Sequence, residues 1–442
     1  MLTKEEMLNF FKDGCKNKKA WKIGTEHEKF GFFKKDYRPI DYKTIEQILN
    51  KLSENYHWVK IYEKDKLISL KKNNATITLE PGGQIELSGA PLKNLFLTCN
   101  EVNNHQLELK KISDELGVGY MGIGFNPKWP LSYFPTIPKK RYEIMKRYMK
   151  KVGKNGLDMM HRTTTIQANL DFSSEKDMVD KFRASLAIQP VISAIFSSSP
   201  FKDSKLSGYT SYRSQVCRNT DSSRCGLLPF VFEEEFSFER YVDYLMSVPM
   251  YFIIRDDNYI DCTGFTFNDF LKGKIKFSTK IYPTIQDWKI HLTTVFPEVR
   301  LKTYLEFRGV DGGPWKNVCA LPAFWVGLLY DEKNLEYLLG LIKNWNKDDR
   351  LNFYKDVSKR GLQSETPDGE SIKVLAKKIL NLAFVGLERR NITKNNKNES
   401  HFLEPLFLIL EKGMSQAEIW KKLYSTVWNK DIDSVYKTNS FD

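Results

Sequence analysis

Histidine and cysteine are both scarce in this 442-residue chain, with six of each. No Cys-x-x-Cys and no His-x-x-x-His pair occurs, so neither a disulfide-built scaffold nor a zinc centre is expected. No apolar run approaches the length that crosses a bilayer. A phosphate loop of the form Gly-x-x-x-x-Gly-Lys-Ser/Thr is missing. The Gly122-Ile123-Gly124 run lacks both the third glycine and the βαβ setting of a dinucleotide site. The formal charge of +13 invites a nucleic-acid partner, yet the lysines scatter in pairs and form no basic block with interleaved aromatics. That charge reads as a solvated surface with a bias toward small anions. From Met1 to Cys15, acids and lysines alternate with apolar residues at helical spacing. The stretch has neither the apolar core of a signal peptide nor the acid-poor bias of a transit peptide. The expectation is a soluble, cytoplasmic protein with no membrane or nucleic-acid partner.

What is present is ample core material, 41% hydrophobic and 13% aromatic residues. The length allows two or three average domains, but the pattern suits one catalytic unit over 1–442. Strand-like runs dominate from about 15 to 330 and helical spacing from about 331 to 442. Ala75 to Ser88 reads as strand, Pro-Gly-Gly turn and strand, and Leu92 to Leu116 as a helix. Ser174 opens a long helix that should end near Pro200, and Ser207 to Asp221 reads as a polar loop carrying Tyr212 and Arg213. No internal repeat is visible.

The chain is organised around Ile23-Gly24-Thr25-Glu26-His27-Glu28-Lys29-Phe30-Gly31-Phe32. In an extended strand, side chains two apart share a face, so Glu26 and Glu28 lie side by side and repel. A divalent cation between them, Mg²⁺ or Mn²⁺, relieves that repulsion with oxygen ligands. The plainer alternative is a solvated edge strand in which Lys29 partners the acids. Further strands add Glu80 and Glu86 beside the Pro-Gly-Gly turn, then Thr165, Gln167 and Asn169 on one face. Tyr304, Glu306 and Arg308 alternate in the same way ahead of Gly312-Gly313-Pro314. Together these describe a polar funnel on a curved sheet. Five carboxylates there call for two or more divalent ions, as in sites that handle nucleoside triphosphates.

These runs are similar to those of glutamate–cysteine ligases of the plant and proteobacterial type. The resemblance is carried by residues 23–32, by Leu-Glu-Pro-Gly-Gly-Gln-Ile-Glu-Leu-Ser-Gly-Ala-Pro at 79–91 and by Met-Gly-Ile-Gly-Phe-Asn-Pro at 121–127. It continues through Ser-Tyr-Arg-Ser at 211–214, Phe-Pro-Glu-Val-Arg-Leu-Lys at 296–302 and the long run from Tyr304 to Asp331. It implies a glutamine-synthetase-like α+β fold with a curved, largely antiparallel sheet forming the active-site funnel and helices around it. It also implies ATP-dependent joining of L-glutamate, through its γ-carboxylate, to L-cysteine by way of γ-glutamyl phosphate, the first step of glutathione synthesis. By motif position, Glu26, Glu28, Glu80, Glu86, Gln167 and Glu306 are the implied metal ligands. Arg308 and Glu306 are the implied catalytic pair, with Arg308 on the transferring phosphoryl group. Arg213, Tyr212 and Thr165 are implied for substrate, and Arg308 with Trp315 for the nucleotide.

The same resemblance implies a disulfide between Cys99 and Cys319, since plant members carry one at the corresponding positions. Their second bridge should be missing, because the loop after Cys262 reads Lys274-Ile275-Lys276-Phe277-Ser278 without cysteine. The expected partners are L-glutamate, L-cysteine and ATP, with the chain a monomer or homodimer. Two other readings stand beside this one: a related carboxylate–amine ligase with another amine acceptor, and a basic nucleic-acid-binding protein whose acidic strands are surface.

Overall fold

The computed structural model describes residues 2–439. Its centre is a nine-stranded sheet whose members are β1 (Ile23–Phe33), β2 (Val59–Glu63), β3 (Lys66–Lys72), β4 (Ala75–Leu79) and β5 (Ile85–Ser88), followed by β6 (Val118–Met121), β7 (Thr165–Leu170), β8 (Val299–Leu301) and β9 (Leu305–Asp311). The strand order is β8-β9-β7-β1-β5-β4-β3-β2, with every pairing antiparallel. The far half of β1 pairs with β6 instead, Phe30 opposite Met121. β1 is therefore a central strand of the sheet and not a solvated edge.

Alternation separates the two faces of these strands. Ile166, Ala168 and Leu170 of β7, Ile85 and Leu87 of β5, and Leu305 and Phe307 of β9 turn to the back and are buried. Helices α1 (Tyr42–Tyr56), α2 (Leu95–Glu115), α3 (Glu175–Phe196) and α5 (Ala320–Leu329) pack against the sheet. Phe307 stacks on Trp325 of α5 with ring centroids 4.7 Å apart. Lys29 also turns to the back, where its Nζ lies 3.1 Å from His105 Nε2 of α2. It is fully buried there, which lowers its pKa to about 7. So Lys29 does not partner Glu26 and Glu28 across the front face.

The expected long helix after Ser174 is α3, with the Ser174 side chain accepting from the Asp177 N–H and Pro190 inside the helix. Where a polar loop was expected, the structure has helix α4 (Tyr212–Arg218), capped by Ser211. Beyond residue 330 the chain is mostly helical and includes α6 (Lys347–Arg360) and α7 (Ile372–Arg390). One apolar cluster runs from Leu2 to Leu406 and includes both the back of the sheet and the C-terminal helices. Cys99 on α2 and Cys319 just before α5 face each other with their Cα atoms 5.7 Å apart, while Cys262 is buried and free. Among the described residues, no helix is long and apolar enough to cross a membrane.

Helices α5 and α7 cross at glycines, and this crossing seats α5 beneath the strands that carry the acids. A β-carbon on Gly327 would stand 2.2 Å from the Ala383 carbonyl, and one on Gly386 would stand 1.9 Å from the Gly327 carbonyl. Gly327→Ala should therefore overpack the crossing and cost about 1–3 kcal/mol of stability. Urea denaturation with an unshifted midpoint would count against this account of the packing.

Candidate active site

The front face of β1, β5, β7 and β9 collects the polar residues of the four strands. Register makes Glu28 the direct neighbour of Glu86, Glu26 that of Gln167, and Glu306 that of Asn169. Thr78 Oγ1 donates to Glu86 Oε2 at 2.6 Å and Asn169 Nδ2 to Glu26 Oε1 at 2.7 Å. The Thr165 N–H donates to Glu28 Oε2 at 3.0 Å. These donors are neutral and bring no positive charge of their own to the acids. Burial, with the charges of Glu306 and Glu86 added, pushes the Glu26 carboxyl up to about 8. Burial and then Glu86 and Glu80 hold Glu28 well above the usual range, and burial with Glu80 raises Glu86.

Glu306 has the opposite environment. Fully buried, it accepts from Arg300 Nε at 2.6 Å, Arg308 Nη1 at 2.8 Å and Lys302 Nζ at 2.9 Å. Burial works against its ionisation, but these three cations hold it well below the usual carboxylate range. Arg308 Nη1 also donates to Gln167 Oε1 at 2.8 Å. Between Phe307 and Val310 the β9–β7 register shifts. Thr165 Oγ1 spans that irregularity, donating to the carbonyls of Val310 at 2.7 Å and Arg308 at 3.0 Å.

Two cavities open on this face, one at each end of the row of acids. The first is lined by Glu28, Glu80, Thr165, Arg213, Arg308 and Glu298, with a wall of Met145, Met159, Met160, Cys217 and Cys225. The second is lined by Lys22, Gly24, Glu26, Thr76, Ser88, Asn169 and Tyr304. Arg213 reaches the first cavity because α4 is tied to the end of β9. Ser211 Oγ donates to Asp311 Oδ1 at 2.7 Å, and Asp311 Oδ2 accepts from the Ser198 N–H at 2.9 Å and Ser199 Oγ at 2.7 Å. Arg213 Nη2 donates to the Arg308 carbonyl at 2.9 Å, whereas its buried Nη1 has no hydrogen-bond partner among the described residues.

Several of the residues named from sequence stand elsewhere than expected. Tyr212 packs edge-on against Phe125 at 4.9 Å and does not line the cavity, because helical spacing swings it away from Arg213. Trp315 lies beside His27, ring centroids 5.6 Å apart, on the back of the sheet and away from both cavities. The Thr165 hydroxyl is spent on the β9 backbone. Gln167 and Glu306 have their oxygens engaged by cationic side chains and are not free ligands. Among the described residues, no three His, Cys, Asp or Glu side chains converge as a ready metal cage. The donor chemistry nevertheless fits hard divalent cations: half-buried Glu26 and Glu28 and buried Glu86 set carboxyl oxygens side by side, are costly to ionise together, and form no ion pair among the described residues. Residues passed over in the sequence include Arg300, which faces Glu306 from β8, Lys302 just past the end of that strand and Glu298 just before it.

The model of glutamate–cysteine ligase family 2 matches residues 22–438. The chain is 51% identical over 436 residues to glutamate–cysteine ligase B, chloroplastic, of Oryza sativa subsp. japonica, covering 99% of this chain and 87% of that protein. It is 50% identical over 435 residues to the Medicago truncatula enzyme, covering 98% and 84%. Against that of Arabidopsis thaliana it is 49% identical over 436 residues, covering 99% and 82%. A glutamate–cysteine ligase of Francisella tularensis, solved in complex with AMP, superposes with a TM-score of 0.54 over 95% of this chain and 88% of that one. At 13% identity this is a likeness of fold alone.

The three plant relatives are named chloroplastic, and this overturns the cytoplasmic expectation. The charge pattern behind that expectation belongs to a helix over Lys4–Lys12, capped by Thr3 and burying Met7 and Phe11, so it reports packing and not address. By the family match and the length of these alignments, the chain belongs to glutamate–cysteine ligase family 2.

Proposed function

We infer that the chain catalyses the ATP-dependent joining of L-glutamate, through its γ-carboxylate, to the amine of L-cysteine, the first step of glutathione synthesis. Beyond family membership, the observation that carries this is a row of acids running between two cavities on one sheet face, with Arg308 in the wall of the first. The γ-carboxylate attacks the γ-phosphorus of ATP and ADP leaves, giving an acyl phosphate. The cysteine amine then attacks the acyl carbon, phosphate leaves, and the amine nitrogen loses its proton. Such chemistry needs alignment and charge neutralisation and no protein nucleophile.

Glutamate takes the first cavity, where the unpartnered Nη1 of Arg213 holds its α-carboxylate as a charge-assisted bond. The sulfur-rich wall of Met145, Met159, Met160, Cys217 and Cys225 gives the acceptor's thiol a soft, polarisable lining. The nucleotide takes the second cavity, with its phosphates directed along the acids toward Arg308. Glu306 and Gln167 fix one nitrogen of Arg308, leaving the rest of its planar fork for phosphoryl oxygens. Glu26, Glu28 and Glu86, with Glu80, would hold Mg²⁺ or Mn²⁺, which when bound neutralise phosphate charge. Glu306 acts as counter-ion to Arg300, Lys302 and Arg308. The large apolar cluster that joins the back of the sheet to the helices as far as Leu406, with a smaller one that packs Trp420 and Tyr436 against Phe30 and Phe32, supports one catalytic unit. The short span between Cys99 and Cys319 supports a disulfide that ties α2 to the start of α5.

Phosphate release with L-glutamate plus L-cysteine, 2-aminobutyrate or ammonia tests the activity. Cysteine should be preferred, and a preference for ammonia would overturn the reading. Arg213→Ala should raise the KM for glutamate by about 10- to 100-fold, as expected for a lost charged hydrogen bond, and leave that for ATP unchanged. An unaltered glutamate KM would remove Arg213 from the binding site. Because the Glu26 carboxyl titrates at about 8, it is protonated at neutral pH until a cation displaces the proton. Mg²⁺ binding near pH 7 should thus release protons, and its affinity should rise with pH until about 8. Calorimetry in buffers of different ionisation enthalpy reads this directly; buffer-independent heats near pH 7 would contradict it.

A further inference from the structure

One buried acid lining the first cavity has no task in the mechanism. Glu298 is 4% exposed and lines the same cavity as Arg213, which is 7% exposed. Its backbone is fixed on both sides: the Glu298 N–H donates to the Gly226 carbonyl at 3.0 Å, and the Glu298 carbonyl accepts from the Arg308 N–H at 2.9 Å. One carboxylate oxygen, Oε1, accepts from the Tyr354 hydroxyl of α6. The other, Oε2, has no partner. Gly309 leaves room for that oxygen, since a β-carbon there would stand 2.0 Å from it.

Two buried groups of opposite charge thus line one cavity, and each has one hydrogen-bonding position unfilled. Among the described residues no hydrogen bond or ion pair joins Glu298 to Arg213: each feels the other's charge, but neither fills the other's open hydrogen-bonding position. A buried charge with an unmet bond is costly, and natural proteins tolerate it mainly where a ligand completes it. The ligand that completes both is one bearing an anion and a cation on adjacent atoms, which is the α-carbon of an amino-acid zwitterion. The other acids of the cavity are not suited to this, because Glu28 and Glu80 belong to the mutually repelling row on the sheet floor.

We propose that Glu298 receives the ammonium group of the glutamate substrate while Arg213 holds its carboxylate, so that the pair selects an α-amino acid over a plain dicarboxylate. The proposal rests on the assignment of this cavity to glutamate. Such recognition leaves the γ-carboxylate as the end that extends toward the acids and Arg308, so the pair also decides which carboxylate is activated. A site that hydrogen-bonds a substrate ammonium rejects the analogue lacking it, since its own buried acceptor is then left unpaired.

The test compares L-glutamate with glutarate, which has both carboxylates and no amine. Calorimetric binding and steady-state kinetics would be run on the wild-type protein, Glu298→Gln and Tyr354→Phe. Wild type should bind L-glutamate at least about 10-fold more tightly than glutarate, the scale of one charged hydrogen bond. Glu298→Gln should weaken L-glutamate by about 10- to 100-fold on the same basis, and leave glutarate binding unchanged. Tyr354→Phe should lie between wild type and Glu298→Gln for L-glutamate. Equal binding of the two ligands by wild type overturns the proposal without reference to any variant. So does a Glu298→Gln protein that loses both ligands equally, keeps L-glutamate intact, or shows a defect confined to cysteine. If wild type binds no L-glutamate at all, the assignment of the cavity itself has failed, and the proposal falls with it.

Discussion

The cost of ionising several neighbouring carboxyl groups together on one face of a sheet is the constraint that shapes the rest of this molecule. Glu28 and Glu86 are cross-strand neighbours, and Glu26 sits one pleat along on the same face. Like charges directly opposite one another weaken a sheet, and burial magnifies the effect. The fold keeps them there by making the back of the same strands apolar and covering it with helices. The energetic penalty at the front is thus held in place by hydrophobic packing behind it.

The same face shows two solutions to an excess of negative charge. At Glu306 the protein supplies its own cations, and the acid becomes a fixed hub for Arg300, Lys302 and Arg308. At Glu26, Glu28 and Glu86 it supplies neutral donors, and full ionisation waits for a cation from outside. The contrast separates a permanent electrostatic frame from a region that answers to ligand. The boundary between the two regions is one strand wide, β7, whose Asn169 supports an acid and whose Gln167 is held by Arg308.

Much of this was legible in the chain because alternation at period two assigns faces without any knowledge of neighbours. Glu26 with Glu28, Thr165 with Gln167 and Asn169, and Glu306 with Arg308 all follow from it. What alternation does not give is which strand lies beside which. Arg300 meets Glu306 only through the β8–β9 hairpin register, and Glu298 reaches the cavity only because β9 and Gly226 hold its backbone. Tyr212 was misplaced because a helix stands where a loop was expected, and in a helix adjacent residues diverge. Trp315 lies beyond a Gly-Gly-Pro break, where the chain passes to the far side of the sheet, a change of layer that no local pattern records.

The position of β1 has an evolutionary consequence. It is bonded along its length to three different strands, so its numbering is locked against β5, β6 and β7 simultaneously. Loss or gain of one residue within it would send Glu26 and Glu28 into the apolar layer and bring His27 and Lys29 out among the anions. Descendants of this sequence are therefore free to vary in loop length almost anywhere along the rim, while this strand can change its letters but not its count.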